Sequence, residues 1–209
     1  MYLRSDSFKP YDYLDSRLAF GKHHETDHFQ FAENKNPHLA WSDVPEGTKS
    51  FALLCYDPDV PSVGTDVNQE GKTVPLDLQR VDFFHWVVAN LPADLLEIAE
   101  GSHSDGVTAA GKAPGPSPSG GLQGINDYTG WFAGHEQMGG NYGGYDGPAP
   151  PWNDERVHGY RFMVCALDAV LDLEGTFTGQ DLIEAMGPHI LDRAELIGLY
   201  AINPDARQK

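Results

Sequence analysis

Five side chains in this 209-residue sequence have types and spacings that could do chemistry together: Asp57, Asp59, His85, His158 and Tyr160. A carboxylate that accepts a hydrogen bond from one imidazole nitrogen fixes the tautomer and orientation of the ring and favours its protonated form. Two histidines held in that way present N–H donors that can bind an anion through charge-assisted hydrogen bonds. Tyr160 can add an O–H donor, and Pro150 and Pro151 frame the group with stiff backbone. No nucleophile completes the set, because the sequence has neither a Gly-x-Ser-x-Gly elbow nor a Cys–His signature. Holding an anion is therefore favoured over breaking a bond.

The acidic pair stands in Asp57-Pro58-Asp59-Val60-Pro61, directly after the apolar run Phe51–Leu54. That run reads as the end of a buried strand. Each proline fixes its own φ and keeps the preceding residue out of the helical region, so Asp57 and Val60 are held extended at a rigid corner. An ordinary turn with carboxylates capping backbone N–H groups is the competing reading of this stretch alone. His85 interrupts Phe83–Leu91, a nearly continuous apolar run that reads as a central strand buried on both faces. In such a run a histidine is either a core residue satisfied by one neighbour or a site residue. His158 and Tyr160 lead into a further buried strand, Arg161–Leu167.

Around these, Leu39–Ser42 and Ser50–Leu54 read as antiparallel neighbours joined by a Pro-Gly turn, and Phe29 and Phe31 alternate as in an edge strand. A short helix is expected over Leu95–Ala99. A second starts at Thr178 as N-cap, with Asp181 near its positive end and Leu182, Ile183, Met186 and Ile190 on one face; Pro188 strains or bends it. Ala194–Ile202 reads as a closing strand. Many short strands and few helices predict a mainly β protein, a two-sheet antiparallel β-sandwich with a few peripheral helices, as a single domain over 1–209. Long loops are expected at 62–82 and 101–147. The second is Gly-rich and of low complexity, yet it holds Tyr128, Trp131, Phe132, Tyr142 and Tyr145, so it should pack on the body and roof a cavity. Residues 1–35 read as a solvated, mobile arm. His23, His24 and His28, with Glu25 and Asp27, are metal-ligand types, but no second cluster completes a four-ligand set, so no metal is expected.

Three stretches taken in order resemble the signature elements of the phosphatidylethanolamine-binding protein family, also called the Raf kinase inhibitor-like family, and its bacterial branch most closely. They are Asp57-Pro58-Asp59-Val60-Pro61, the run Phe83-Phe84-His85-Trp86 to Pro92, and Gly144-Tyr145-Asp146-Gly147-Pro148 leading to His158-Gly159-Tyr160-Arg161. The resemblance spans roughly Asn36 to the C-terminus and implies the same β-sandwich. It implies that Asp57, Asp59, His85, His158 and Tyr160 line a small pocket for phosphate-like headgroups. Gly159 stands where eukaryotic members carry a basic residue, which removes a positive charge beside that pocket, and the long loops give a different rim.

Composition narrows the partners. Hydrophobic residues at 40% and charged residues at 22% are ordinary for a globular chain, but a formal net charge of −17 is not. It argues against nucleic acid and against anionic membrane surfaces. No apolar stretch reaches the roughly 20 residues of a membrane-spanning helix. The two cysteines, Cys55 and Cys165, lie in apolar runs and read as buried reduced thiols, so cytoplasmic residence is the expectation. The function expected is a non-catalytic binding module with a small anion pocket and no cofactor, one that can act on a protein partner and can pair as a homodimer. The alternatives are a hydrolase using Asp/His acid–base chemistry and a protease or kinase inhibitor acting through its surface loops.

Overall fold

The computed structural model describes residues 1–173 and 175–208. Its strands run in chain order as Tyr2–Arg4 (β1), Gly21–Lys22 (β2), Gln30–Phe31 (β3), Leu39–Ser42 (β4), Ser50–Pro61 (β5), Arg80–Pro92 (β6), Glu97–Ile98 (β7), Gly115–Pro116 (β8), Leu122–Gln123 (β9), His158–Leu167 (β10) and Ile190–Tyr200 (β11). Two α-helices, Tyr128–Trp131 (α1) and Gly179–Met186 (α2), lie outside the sheets. One sheet has the order β11-β10-β5-β6-β9-β8, a second β1-β4-β7, and β2 pairs with β3. The paired strands of all three are antiparallel.

The large sheet is covered on both faces. On one, Leu53, Cys55, Trp86, Val88, Phe162 and Val164 pack against Leu39 and Trp41 of β4 and Ile98 of β7. On the other, Leu54, Val87, Ala89 and Met163 meet Leu182 and Met186 of α2, with Phe177 beside them. Alternate residues of β5, β6 and β10 thus enter two different cores, which is why these strands read as continuous apolar runs. Cys55 and Cys165 are free and belong to opposite cores, so they cannot bridge. Burial pushes the Cys55 thiol well above its ordinary pKa and that of Cys165 up to about 11, which leaves neither a reactive thiolate at neutral pH.

Helix α2 starts as the sequence indicates. The Thr178 hydroxyl accepts from the Asp181 N–H (3.2 Å) and the Asp181 carboxylate accepts from the Thr178 N–H (2.8 Å), a reciprocal cap. Pro188 does not bend it, since it lies in the 3-10 turn Gly187–His189 beyond the helix end, and Ile190 opens β11.

Three expectations are corrected. Leu95–Ala99 is not helical: its centre is β7, pairing Ile98 with Leu39 and Glu97 with Ala40, so an available sheet edge overrides local propensity. Residues 1–35 are not a solvated arm. Leu3, Phe8, Leu14, Leu18 and Phe20 are buried, and β1 pairs with β4. The stretch 101–147 is not wholly loop, because β8 and β9 form a hairpin that adds to the edge of β6 and α1 follows it. Its aromatics do pack as expected, with Tyr128, Tyr142 and Tyr145 buried and Trp131 exposed.

Candidate functional site

The prolines of Asp57-Pro58-Asp59-Val60-Pro61 do not end β5. Asp57 pairs with Phe83 and Val60 with Val81, so three steps on β5 face two on β6 and the strand carries a bulge. Prolines lack an N–H for the ladder, and the bulge is where that is tolerated. The Asp59 N–H turns inward to the Asp57 carboxylate (2.8 Å), which leaves the two acids on different errands.

Asp57 is 1% exposed and sits 2.6 Å from Nδ1 of His158 through its second oxygen. Nε2 of His158 donates to Asp154 (3.1 Å), and Asp154 receives both terminal nitrogens of Arg80, one at 3.0 Å. The result is an alternating chain: Asp57 carboxylate, His158 imidazolium, Asp154 carboxylate, Arg80 guanidinium. Burial alone would strip the proton from His158, but the charges and hydrogen bonds of Asp57 and Asp154 outweigh it and raise its pKa to about 9. Burial likewise works against ionised Asp57 and Asp154, yet His158 holds both carboxyls below the usual range, with Arg80 helping at Asp154. The four charges cancel. Asp59 does something else, accepting from Arg156 (2.9 Å) and from the Gly159 N–H (3.0 Å), which ties the bulge to the start of β10.

His85 is 3% exposed, and its Nδ1 lies 2.8 Å from the Asp146 carbonyl oxygen. A carbonyl only accepts, so Nδ1 carries a hydrogen and the neutral ring leaves Nε2 as a bare acceptor. Burial lowers the pKa of His85, although the Asp57 charge and the Asp146 carbonyl oppose this. The Asp146 backbone is itself fixed, because its buried carboxylate accepts from Asn34 (2.8 Å), Asn126 (2.9 Å) and Lys112 (2.6 Å). Next to it Gly147 donates its N–H to Asn34 (2.8 Å), and a Cβ at Gly147 would lie 2.1 Å from the Leu18 carbonyl oxygen, so no larger residue fits. Tyr160 is fully buried, its ring edge-on to His85 at 5.2 Å. Its hydroxyl makes no well-formed hydrogen bond among the described residues, and the Asp57 carboxylate is near enough only for a weak one. Burial and the nearby Asp57 charge keep it protonated.

Asp57, His85 and Tyr160 form the polar end of a cavity of about 470 Å³. Phe20, Phe83, Tyr128, Phe132 and Met138 make its apolar walls, and Phe31, Trp131, Pro150 and Pro151 also line it. Among the described residues no Lys or Arg lines the cavity. The structure thus brings together Asp57, His85, Pro150, Pro151 and Tyr160. It places Asp59 and His158 behind them, with both nitrogens of His158 turned to carboxylates, so His85 and His158 are not a pair of donors facing one ligand.

Sequence reasoning did not assign Asp154, Arg80 or Asp146. The spacing of Asp154 four residues before His158 was one available signal. The arm residues Phe20, Phe29 and Phe31 gave none, because nothing local says they fold over the end of the large sheet. His23, His24 and His28 are drawn apart by other partners: His24 faces Asp27, and His28 bonds Glu70 (3.1 Å) and stacks on Trp152.

Comparison with known proteins bears on the family and the fold. A family model described as phosphatidylethanolamine-binding protein matches residues 4–201. A UPF0098 protein of Methanothermobacter thermautotrophicus is 39% identical over 168 residues, covering 80% of this chain and 83% of the relative. The UPF0098 protein YbhB of Escherichia coli is 36% identical over 169 residues, covering 80% and 78%. Among solved structures, YbcL of Escherichia coli, described as a member of the mammalian family of these proteins, aligns over 97% of this chain and 98% of its own with a TM-score of 0.68 at 27% identity. None of these names is that of an enzyme.

Proposed function

The chain belongs to the phosphatidylethanolamine-binding protein family, and from that premise we propose that it is a non-catalytic binding module whose cavity takes a small amphiphile by a phosphate-like head. One observation carries this reading: the Tyr160 hydroxyl is buried with no well-formed hydrogen bond, only the Asp57 carboxylate being close, beside the bare Nε2 of His85, at the polar end of a cavity that is otherwise largely apolar. An unmade buried hydrogen bond is costly, so such a group marks where a ligand atom is expected. A phosphate-like oxygen accepts from Tyr160. Nε2 needs a hydrogen, which comes either from a P–OH of the ligand or from solvent. The bound state therefore holds one proton more than the free protein and the fully ionised ligand. The aromatic walls suit the apolar remainder of the molecule.

A calorimetric titration with a short alkyl phosphate tests the reading. Tyr160→Phe removes one hydrogen bond to a charged group, worth roughly 1.5–3 kcal/mol, and should weaken binding by about tenfold or more. The same variant should lose little stability, because within the protein the hydroxyl has at most a weak bond to Asp57. His85→Ala should weaken binding at least as much. If both variants bind as tightly as the wild type, the head lies elsewhere and the reading is wrong.

A further inference from the structure

The two long loops place polar side chains on the cavity lining, Asn68 from one and His135, with Gln137, from the other, and Asn68 and His135 are oriented in the same way. Asn68, from the loop after β5, accepts the Trp152 N–H on Oδ1 (2.9 Å), and its own N–H is held by Asn153 (2.9 Å) at a positive φ of 56°. With Oδ1 used in this way, the Nδ2 amide is the atom left for a ligand. His135, just after α1, accepts the N–H groups of Gln137 (3.2 Å) and Met138 (3.1 Å) on Nδ1. Those two bonds require a bare Nδ1, so the neutral ring carries its hydrogen on Nε2. Its tautomer is the opposite of that at His85. Asn68 and His135 both line the same cavity, and both are exposed, unlike the buried floor.

We propose that Asn68 and His135 form a second subsite at the cavity mouth, one that reads a hydrogen-bond acceptor. The ligand is then two-headed: a phosphate-like group at the floor, an apolar body between the aromatic walls, and a neutral carbonyl at the mouth. A neutral carbonyl is favoured over a carboxylate because Glu70 and Glu136 adjoin these loops in a protein of net charge −17. This inference rests on the floor reading given above and extends it from a headgroup to a whole ligand.

The experiment compares methyl esters of ω-phosphonooxyalkanoic acids of increasing chain length, each against the alkyl phosphate of equal length. At the length that spans the cavity, the wild type should bind the ester about fivefold more tightly than the alkyl phosphate, the worth of one or two exposed hydrogen bonds. Asn68→Asp keeps the acceptor for Trp152 but removes the donor, and His135→Phe keeps a ring while removing its N–H. Each should reduce the ester preference and both together should abolish it; the charge added by Asn68→Asp weakens ester and alkyl phosphate alike, so the ratio of the two affinities is what is read. Equal binding of ester and alkyl phosphate by the wild type at every length overturns the mouth subsite, as does a preference that survives in the double variant. Failure of every alkyl phosphate to bind the wild type would instead overturn the floor reading, and the subsite with it.

Discussion

Replacing His158 by alanine is expected to destabilise the protein by about 3–5 kcal/mol, because it leaves two buried carboxylates without the cation between them. Cavity formation adds to that loss, so pH is used to isolate the electrostatic part. The folded pKa of His158, about 9, lies above its ordinary value of 6.5. Its contribution is therefore fully present below 6.5 and is lost as pH rises toward 9, a change of roughly 3 kcal/mol. Asp57 and Asp154 run the other way: held below 3.8, they contribute above that value and lose it as pH falls through their folded pKa values. The wild type should thus have this part of its stability intact from about pH 4 to 6.5 and shed it on the alkaline side. Urea unfolding at several pH values, with His158→Ala and the uncharged His158→Gln alongside, measures both features. An alkaline loss of the same size in all three proteins would show that the chain of charges is not its source.

Anion binding should weaken with pH by about tenfold per unit above the folded pKa of His85, because the complex needs a hydrogen on Nε2 that the free ring lacks. Burial puts that pKa below 6.5, so the slope is expected throughout the neutral range. A short alkyl sulfonate is the suitable probe, since its head does not titrate there and any proton taken up must go to the protein. The neighbouring groups do not confuse the slope. His158 keeps its proton up to about 9, Asp57 is ionised, and Tyr160 stays protonated. His85→Gln should bind weakly with almost no pH dependence. A wild-type affinity that is flat between pH 6 and 8 would mean that the head does not meet Nε2, whatever the tyrosine does.

The strands that hold the floor were legible because their signal is local. Phe51–Leu54, Phe83–Leu91 and Arg161–Leu167 each say by composition alone that they are buried, and all lie within strands of the large sheet. Asp57, His85 and Tyr160 could be picked out as polar residues within or beside such runs. His158 does meet the carboxylate its chemistry calls for, but with both nitrogens so engaged it has no donor left for a ligand. Only the i,i+4 spacing hints that Asp154 occupies its second nitrogen, and nothing local shows that Arg80 arrives from β6. Long-range pairing likewise decided β7, whose Leu95–Ala99 context favours a helix until Leu39 and Ala40 offer an edge. The same holds for Phe20, which reads as part of a polar arm, and for Phe29 and Phe31, which read as an edge strand and also become cavity wall. His135 reads as a loop histidine until the backbone curls back onto its ring.

Self-cancellation of the buried charges has a kinetic corollary. Asp57, His158, Asp154 and Arg80 sum to zero, and Asp146 is matched by Lys112, so nearly all of the formal charge of −17, which takes histidines as neutral, is carried by other acids nearer the surface. An anion drawn to the floor must first cross an outer field of its own sign. Its encounter rate is held down by repulsion that is strongest in dilute buffer, and added salt should speed capture by shortening the Debye length from about 30 Å at 0.01 M to about 8 Å at 0.15 M. Once inside, the ligand meets a floor that the salt scarcely reaches, so dissociation changes little. Ionic strength would then tighten binding, the reverse of its usual effect on a charged ligand and a charged site.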